Sequence, residues 1–438
     1  MLQLTKGLAR AILHGEYMKA CTDMERIGVP LDIDTLRFLQ DNWDPIRLRL
    51  AGDSLAEYNI FDGLKFSHQK FEMFLEAEGL EKAWPRTDKS KSRQLNKETW
   101  EGMVTLTPEL EYLWQLYKTV TMPQLNIACD MDGRNRVLLG AFGTTTSRDN
   151  PRGDAERGTF IFAPAKWVRF LIKAPKDMAL AYLDWSNQEF GIGAILSGDK
   201  NMLRSYEAGD PYMELAIQCG AAPAGATKKT HRPIRDLYKG ATLGIGYGQT
   251  EWGFSKKTKV GAATARQVFA GYKQRYSKYI AWRENQIDDY DIGSKISTRL
   301  GWTLHRGDRV KPNTVLNFGA QANAAEMLRL AIIEMCRRGV DVCCPVHDAV
   351  LIQAPITEIE SAATEAQLCM NDASAAILAG FILRVDRDIY RFPERFHDEK
   401  GEATWRTISE IVEELKQEPE GRALGEATCQ FNARSGRA

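Results

Sequence analysis

No apolar stretch of this chain approaches the roughly 20 residues that a membrane-spanning helix needs, and the N-terminus lacks a signal-peptide pattern, so a soluble cytoplasmic protein is expected. The eight cysteines (Cys21, Cys129, Cys219, Cys336, Cys343, Cys344, Cys369 and Cys429) form no C-x-x-C pair and no Cys and His set at zinc spacing. They are read as reduced and mostly structural. There is no P-loop, and no G-x-G-x-x-G follows a clear strand, which removes two familiar glycine-rich phosphate cradles. Net charge is missing as well, since 58 Lys and Arg balance 58 Asp and Glu. Internal repeats and long low-complexity linkers are absent. What remains is 438 residues with 44% hydrophobic content, enough for a sizeable core and about two to four subdomains.

The chain does have two aspartates, each closing a short apolar run. Asp184 follows Met178 to Leu183, and Asp348, in Val346-His347-Asp348, follows Val342 to Val346. Runs of that length read as buried strands, so both carboxylates are expected at strand ends where a sheet opens to solvent. On neighbouring strands they would form a hard, oxygen-ligand site for two magnesium ions. Either aspartate alone reads equally well as a loop cap or as the partner of a surface arginine.

Between them lies Arg235-Asp236-Leu237-Tyr238-Lys239-Gly240-Ala241-Thr242-Leu243-Gly244-Ile245-Gly246-Tyr247-Gly248. If the segment is helical, Arg235, Lys239, Leu243 and Tyr247 fall on one face. Two cations, an apolar residue and an aromatic suit a nucleoside triphosphate, with phosphates at one end and the base at the other. The alternative is an ordinary amphipathic helix with solvated charges. Four glycines weigh against it, because they cost helix stability and mark close backbone approach or movement.

In this order, Asp184 to Glu189, Arg235 to Gly248 and Val346-His347-Asp348 resemble the motifs of family A DNA polymerases, the bacterial polymerase I type, and particularly the shorter polymerases of phages and prophages. Thr146-Ser147-Arg148 resembles the family's Thr-Gly-Arg element, and Asn317 and Gln321 resemble its minor-groove readers. The likeness covers roughly residues 10 to 400. It implies an α+β right-hand polymerase, mostly helical around an antiparallel palm sheet. The thumb is expected at 1–130, the palm at 131–200 and 293–396, the fingers at 201–292, and a C-terminal extension at 397–438. Strand-like runs are read at Val137 to Gly140, Trp167 to Ile172, Met178 to Leu183 and Phe381 to Asp386. Helices are read from about Ile12 to Ile27, around Ala324 to Arg338, and through Trp405, Ile408, Ile411, Val412 and Leu415.

The resemblance also implies roles. Asp184 and Asp348, with the backbone carbonyl of Trp185, would hold two Mg2+ ions, for which Mn2+ can substitute. Arg235 and Lys239 would bind the phosphates of a dNTP. Lys239 is either the general acid for pyrophosphate or a simple counter-ion. Glu189, held by a hydrogen bond to Tyr247, would exclude ribonucleotides, or else is a solvated carboxylate. Leu243 would face the sugar, or else packs in the core. Arg148, Asn317 and Gln321 would reach minor-groove acceptors shared by all base pairs, the last two reading otherwise as helix-capping or exposed residues. His347 would support the primer terminus. Primer-template DNA and dNTPs are the expected partners of a monomeric enzyme acting in a host cytoplasm. A single-subunit RNA polymerase, a reverse transcriptase and a non-catalytic DNA-binding relative are the competing readings.

Three departures from the family pattern stand out: Ala349 where a Glu follows His-Asp, Leu243 where Phe or Tyr is usual, and Phe190-Gly191 where Leu-Arg closes the first motif. Basic residues gather before the first motif (Arg148, Arg152, Arg157, Lys166, Arg169, Lys173) and around the second (Lys228, Lys229, His231, Arg232, Arg235, Lys239), offering local positive potential without net charge. Glu410, Glu413, Glu414, Glu418 and Glu420 offset them. Asp23-Met24-Glu25 has the form that opens a proofreading exonuclease, but it falls within a helical pattern, so no exonuclease is expected.

Overall fold

The computed structural model describes residues 6–54, 58–87, 90–153, 158–258, 260–307 and 310–418; Arg157, Glu420 and Cys429 lie outside the described residues. Two compact units emerge. The first comprises Met1–Pro30, Arg134–Phe160 and Ala174–Glu394, and the second Leu31–Gly133, Ile161–Lys173 and Arg395–Ala438. Residues Lys6–Ile27 form a helix, α1, whose Tyr17, Ala20, Cys21 and Met24 join the core of the first unit.

The first unit is organised by a four-stranded antiparallel sheet of β1 (Met178–Trp185), β2 (Asp341–Val346), β3 (Ala349–Pro355) and β4 (Val385–Arg391), in spatial order β4-β1-β3-β2. Alternation along β1 separates its two faces. Ala179, Ala181 and Leu183 are buried in one core with Val350 and Ile352 of β3 and with Ile359, Ala363 and Met370 of a helix spanning Ile359–Ile377. Leu180, Tyr182 and Asp184 stand on the other face, and burial weakens towards Asp184. β2 and β3 form a hairpin whose last pair is Val346 with Ala349, leaving His347 and Asp348 as its two-residue turn. His347 occupies the left-handed region, with φ +60.

The helices that carry expected site residues are α2 (Gln188–Ser197), α4 (Arg232–Gly246) and α5 (Pro312–Arg337), with α3 (Pro211–Gln218) lying between α2 and α4 in the chain. Helices Glu251–Thr258, Ala262–Arg275 and Ser277–Gly293 follow α4, as the helical reading of that region expects.

Three strand expectations fail or shift. Val137 to Gly140 makes a single bridge between Leu138 and Arg152. Trp167 to Ile172 is largely a 3-10 helix, Lys166–Leu171, with Trp167, Val168, Phe170 and Leu171 all buried. A short apolar run reads alike as buried strand or buried helix, and burial alone cannot separate them. The last strand begins at Val385, four residues later than expected.

The second unit is helical, around an aromatic core in which Trp84, Trp100 and Phe71 meet edge to face and Trp100 stacks on Trp114 at 5.1 Å. Its last helix, Glu402–Gln417, buries Ile408, Ile411, Val412 and Leu415 as their spacing predicts. The first basic cluster does not form one patch. Arg169 pairs with Asp398 at 2.8 Å and Lys173 with Asp32 at 3.5 Å, all within this unit, whereas Arg148 and Arg152 belong to the other. No described helix is long and apolar enough to cross a membrane, and the seven described cysteines are free.

Candidate active site

Strand register brings the two aspartates together. Asp184 is the penultimate residue of β1 and lies opposite Ala349, the residue after Asp348. The Trp185 amide donates to the Asp348 carbonyl at 3.3 Å, tying the end of β1 to the hairpin turn. Asp184 Oδ1 is buried and has no hydrogen-bond partner among the described residues. Burial first, then the charges of Asp348, Asp386 and Asp388, push its carboxyl up to about 8. Asp348 is likewise raised, chiefly by burial. Carboxylates crowded in this way call for a cation, and a buried acceptor atom without a donor is the kind of ligand a hard metal takes. Magnesium therefore fits the donor set.

On its other side Asp184 faces Asp386 of β4, whose carboxylate accepts from Ser186 Oγ. The sequence reading missed Asp386. The alternation of Asp386 and Asp388 in a strand was the available signal, since it sets both on one face. Ala349, by contrast, leaves no carboxylate on the β3 side of Asp184.

Asn187, with φ +53, turns β1 into α2 and sets Glu189 in the first helical turn, where a negative charge complements the helix dipole. Glu189 does not rely on Tyr247. Its Oε1 accepts from Arg148 Nη2 at 2.6 Å. A carboxylate this near a guanidinium gains more from a charge-assisted bond than from a phenol. Gly191 also has a reason: a Cβ there would overlap Leu383 Cδ2 and reach Tyr206 at 3.0 Å.

α4 buries Tyr238, Ala241, Thr242 and Ile245; of the expected face Lys239, Leu243 (39%) and Tyr247 (48%) are exposed, whereas the Arg235 side chain is largely covered. Core packing is thereby excluded for Leu243. The helix stops at Gly246, so Tyr247 is its C-cap. The stop is enforced by Arg283, buried beneath it, which donates to the Ile245 carbonyl at 2.8 Å and also to that of Gly246. Of the four glycines, only Gly248 combines positive φ (+75) with close approach, to the Asn313 side chain; Gly246 has nothing within 4 Å.

Arg235 is engaged by Asp210, Nε to Oδ2 at 2.7 Å, and lies over the Tyr212 ring at 5.2 Å, with Lys239 at 5.9 Å from the same ring. Asp210 is also the N-cap of α3, accepting from the amides of Tyr212 and Met213. Asp-Pro before an apolar run is an N-cap signature, but nothing in it announces an ion pair with α4. Asn317 and Gln321 lie one turn apart on α5, half-buried, and His347 is exposed at the hairpin turn. Arg148 and Glu189 are bonded to each other and lie within electrostatic reach of Asp348 and Tyr247, and Asp348 within that of Asp184, while Arg235 and Lys239 share Tyr212.

Strand-end carboxylates and a cationic helix on a mostly helical α+β frame are a set of groups that two-metal phosphoryl chemistry could use. The profile of DNA polymerase family A matches residues 163–389, and the chain belongs to that family. It is 24% identical over 399 residues to a thermostable DNA polymerase I of Thermus thermophilus, covering 85% of this chain and 45% of that protein. To a DNA polymerase of Mycobacterium phage L5 it is 22% identical over 398 residues, covering 86% and 62%. It therefore spans about half the length of the curated relatives it matches. The fold is similar to the POL domain of the Pol I enzyme from M. smegmatis in complex with DNA primer-template and dNTP, at 18% identity and a TM-score of 0.67, covering 89% of this chain and 70% of that one. The α+β right-hand polymerase fold follows from that likeness.

Proposed function

We propose that this chain is a template-directed DNA polymerase that extends a primer 3′ end with dNTPs. The carrying observation is Asp184 at a strand end opposite Ala349, the residue next to Asp348, with one buried carboxylate oxygen left without a donor among the described residues. Both aspartates and the Trp185 carbonyl would hold two magnesium ions. Bound magnesium supplies Lewis acidity that lowers the pKa of the primer hydroxyl and neutralises departing pyrophosphate. The chain's own residues position the reactants. Arg235 and Lys239 clamp the triphosphate, Arg235 exchanging Asp210 for phosphate oxygens, and Lys239 is near enough to the same cluster to donate a proton to pyrophosphate. Leu243 faces the sugar. Glu189, fixed by Arg148, occupies the space that a 2′ hydroxyl needs. Arg148, Asn317 and Gln321 meet minor-groove acceptors, and His347 supports the primer terminus.

The expected thumb, palm and fingers segments, a monomeric enzyme and a host cytoplasm belong to the same reading, the last in keeping with the phage relatives. No proofreading is assigned to Asp23 and Glu25. They sit on α1, where Glu25 accepts from the Leu139 amide at 2.8 Å and Asp23 lies 3.9 Å from Arg26. The test is primer extension with dNTPs or rNTPs, with magnesium, with manganese, or with neither. Extension should need dNTPs and a divalent ion, and a mismatched primer should not shorten when dNTPs are withheld. Extension with rNTPs alone would favour an RNA polymerase, and no extension at all would return the reading to a DNA-binding relative.

A further inference from the structure

Arg329, on the inner side of α5, is only 2% exposed and takes no part in the metal or triphosphate clusters. Its Nη2 donates to both the carbonyl oxygen and Oγ of Ser147, at 2.5 Å each. Its Nε has no acceptor among the described residues, and the guanidinium lies 4.8 Å from the Phe142 ring centroid and 5.6 Å from that of Tyr17. Ser147 is held in the left-handed region, with φ +62, inside a turn closed by the Thr144 amide donating to the Arg148 carbonyl at 3.1 Å. On the far side of Arg148, Asp149 accepts from the Tyr17 hydroxyl and from the Phe142 amide. Both neighbours of Arg148 are therefore anchored, and its side chain alone projects, reaching Glu189.

A buried guanidinium is costly to desolvate, and here both of its hydrogen bonds, from Nη2, go to one serine. A non-glycine residue in the left-handed region also persists only where its surroundings impose it. We propose that Arg329 is a positioning residue: it fixes Ser147 so that Arg148 is aimed at minor-groove acceptors of the base pair. α5 then sets Asn317, Gln321 and Arg148 as one group that checks pair shape. The inference rests on the reading of Arg148 as a minor-groove contact.

The experiment is a double-mutant cycle read as kcat/KM for extending matched and mismatched primer termini. Arg148→Ala should slow matched extension and compress the matched-to-mismatched ratio. Arg329→Met should reproduce both effects by at least about ten-fold, and the double variant should be within about two-fold of Arg148→Ala alone, since residues acting as a unit do not multiply. Effects that multiply in the double variant would overturn the proposal, as would an Arg329→Met protein with the wild-type ratio beside an impaired Arg148→Ala. If Arg329→Met does not fold, Ser147→Ala, which deletes only the Oγ acceptor, replaces it in the same cycle: an effect of about three-fold that does not multiply with Arg148→Ala supports the proposal, and a wild-type ratio or a multiplying effect overturns it. Wild-type behaviour of Arg148→Ala would instead sink the reading of Arg148 itself, and the proposal with it.

Discussion

Asp184 shows how a single side chain can be unfavourable for folding and yet suited to its proposed role. A buried carboxylate with other carboxylates around it destabilises the metal-free protein, which is why its pKa is raised. Asp184→Asn keeps the shape and removes the charge. It should melt higher than wild type in EDTA, by on the order of 1 kcal/mol or more, while extension falls below about 1%; equal melting temperatures would mean that the carboxylate is better accommodated than its surroundings indicate. Two neighbours offer sharper tests of substrate choice. Glu189→Ala should raise rNTP insertion relative to dNTP insertion even as the total rate falls, and an unchanged ratio would remove the steric role. Leu243 has no hydroxyl to replace a missing 3′ hydroxyl, so ddTTP should be rejected by roughly ten-fold or more against dTTP. Leu243→Tyr should narrow that gap in kcat/KM; the same discrimination in both proteins would place residue 243 away from the sugar.

At the scale of elements, the sequence was legible where a long pattern had one solution. β1, α1 and the last helix lie close to where their spacing put them, the segment read conditionally as a helix is α4, and α5 covers the expected Ala324 to Arg338 region but begins at Pro312. The reading failed at Val137 to Gly140 and Lys166–Leu171, short runs whose periodicity is ambiguous. The candidate residues fared similarly. Asp184 and Asp348 could be read because each closes an apolar run, whereas the Arg148–Glu189 and Arg235–Asp210 pairs join distant segments and leave no mark on local pattern. Gly191 belongs here too, because its departure from the family pattern records helix packing. Gly191→Ala should cost about 1 to 3 kcal/mol by overpacking Leu383 and Tyr206. Chemical denaturation checks it, and a loss under about 0.5 kcal/mol would show that Leu383 moves aside freely.

For the molecule as a whole, zero net charge hides local imbalance, and some of it bears on stability. In the second unit Lys118 lies 4.9 Å from the Trp114 ring centroid, and burial lowers its pKa to about 8. Its folded value is below the unfolded one, near 10.4, so between those limits the unfolded chain binds more protons and stability rises with pH. Below pH 8 the buried ammonium is a standing cost. Lys118→Met should therefore be more stable than wild type at pH 7, by on the order of 1 kcal/mol or more, and the difference should shrink as pH climbs towards 10. Paired denaturation curves at pH 7 and 10 measure it, and a gap that stays constant would assign the gain to packing alone.

The left-handed His347 gives the hairpin turn a further meaning for anyone who evolves this protein in the laboratory. In a library saturated at codon 347, survivors should sort first by backbone tolerance and only then by chemistry. Glycine and asparagine accept φ near +60 and should keep the hairpin intact, whereas valine and isoleucine should vanish from the folded pool before any polymerase is assayed. The informative members of such a library are the asparagine clones, because they retain the turn and lack the imidazole: their enrichment or loss under selection for DNA synthesis reports on the ring by itself.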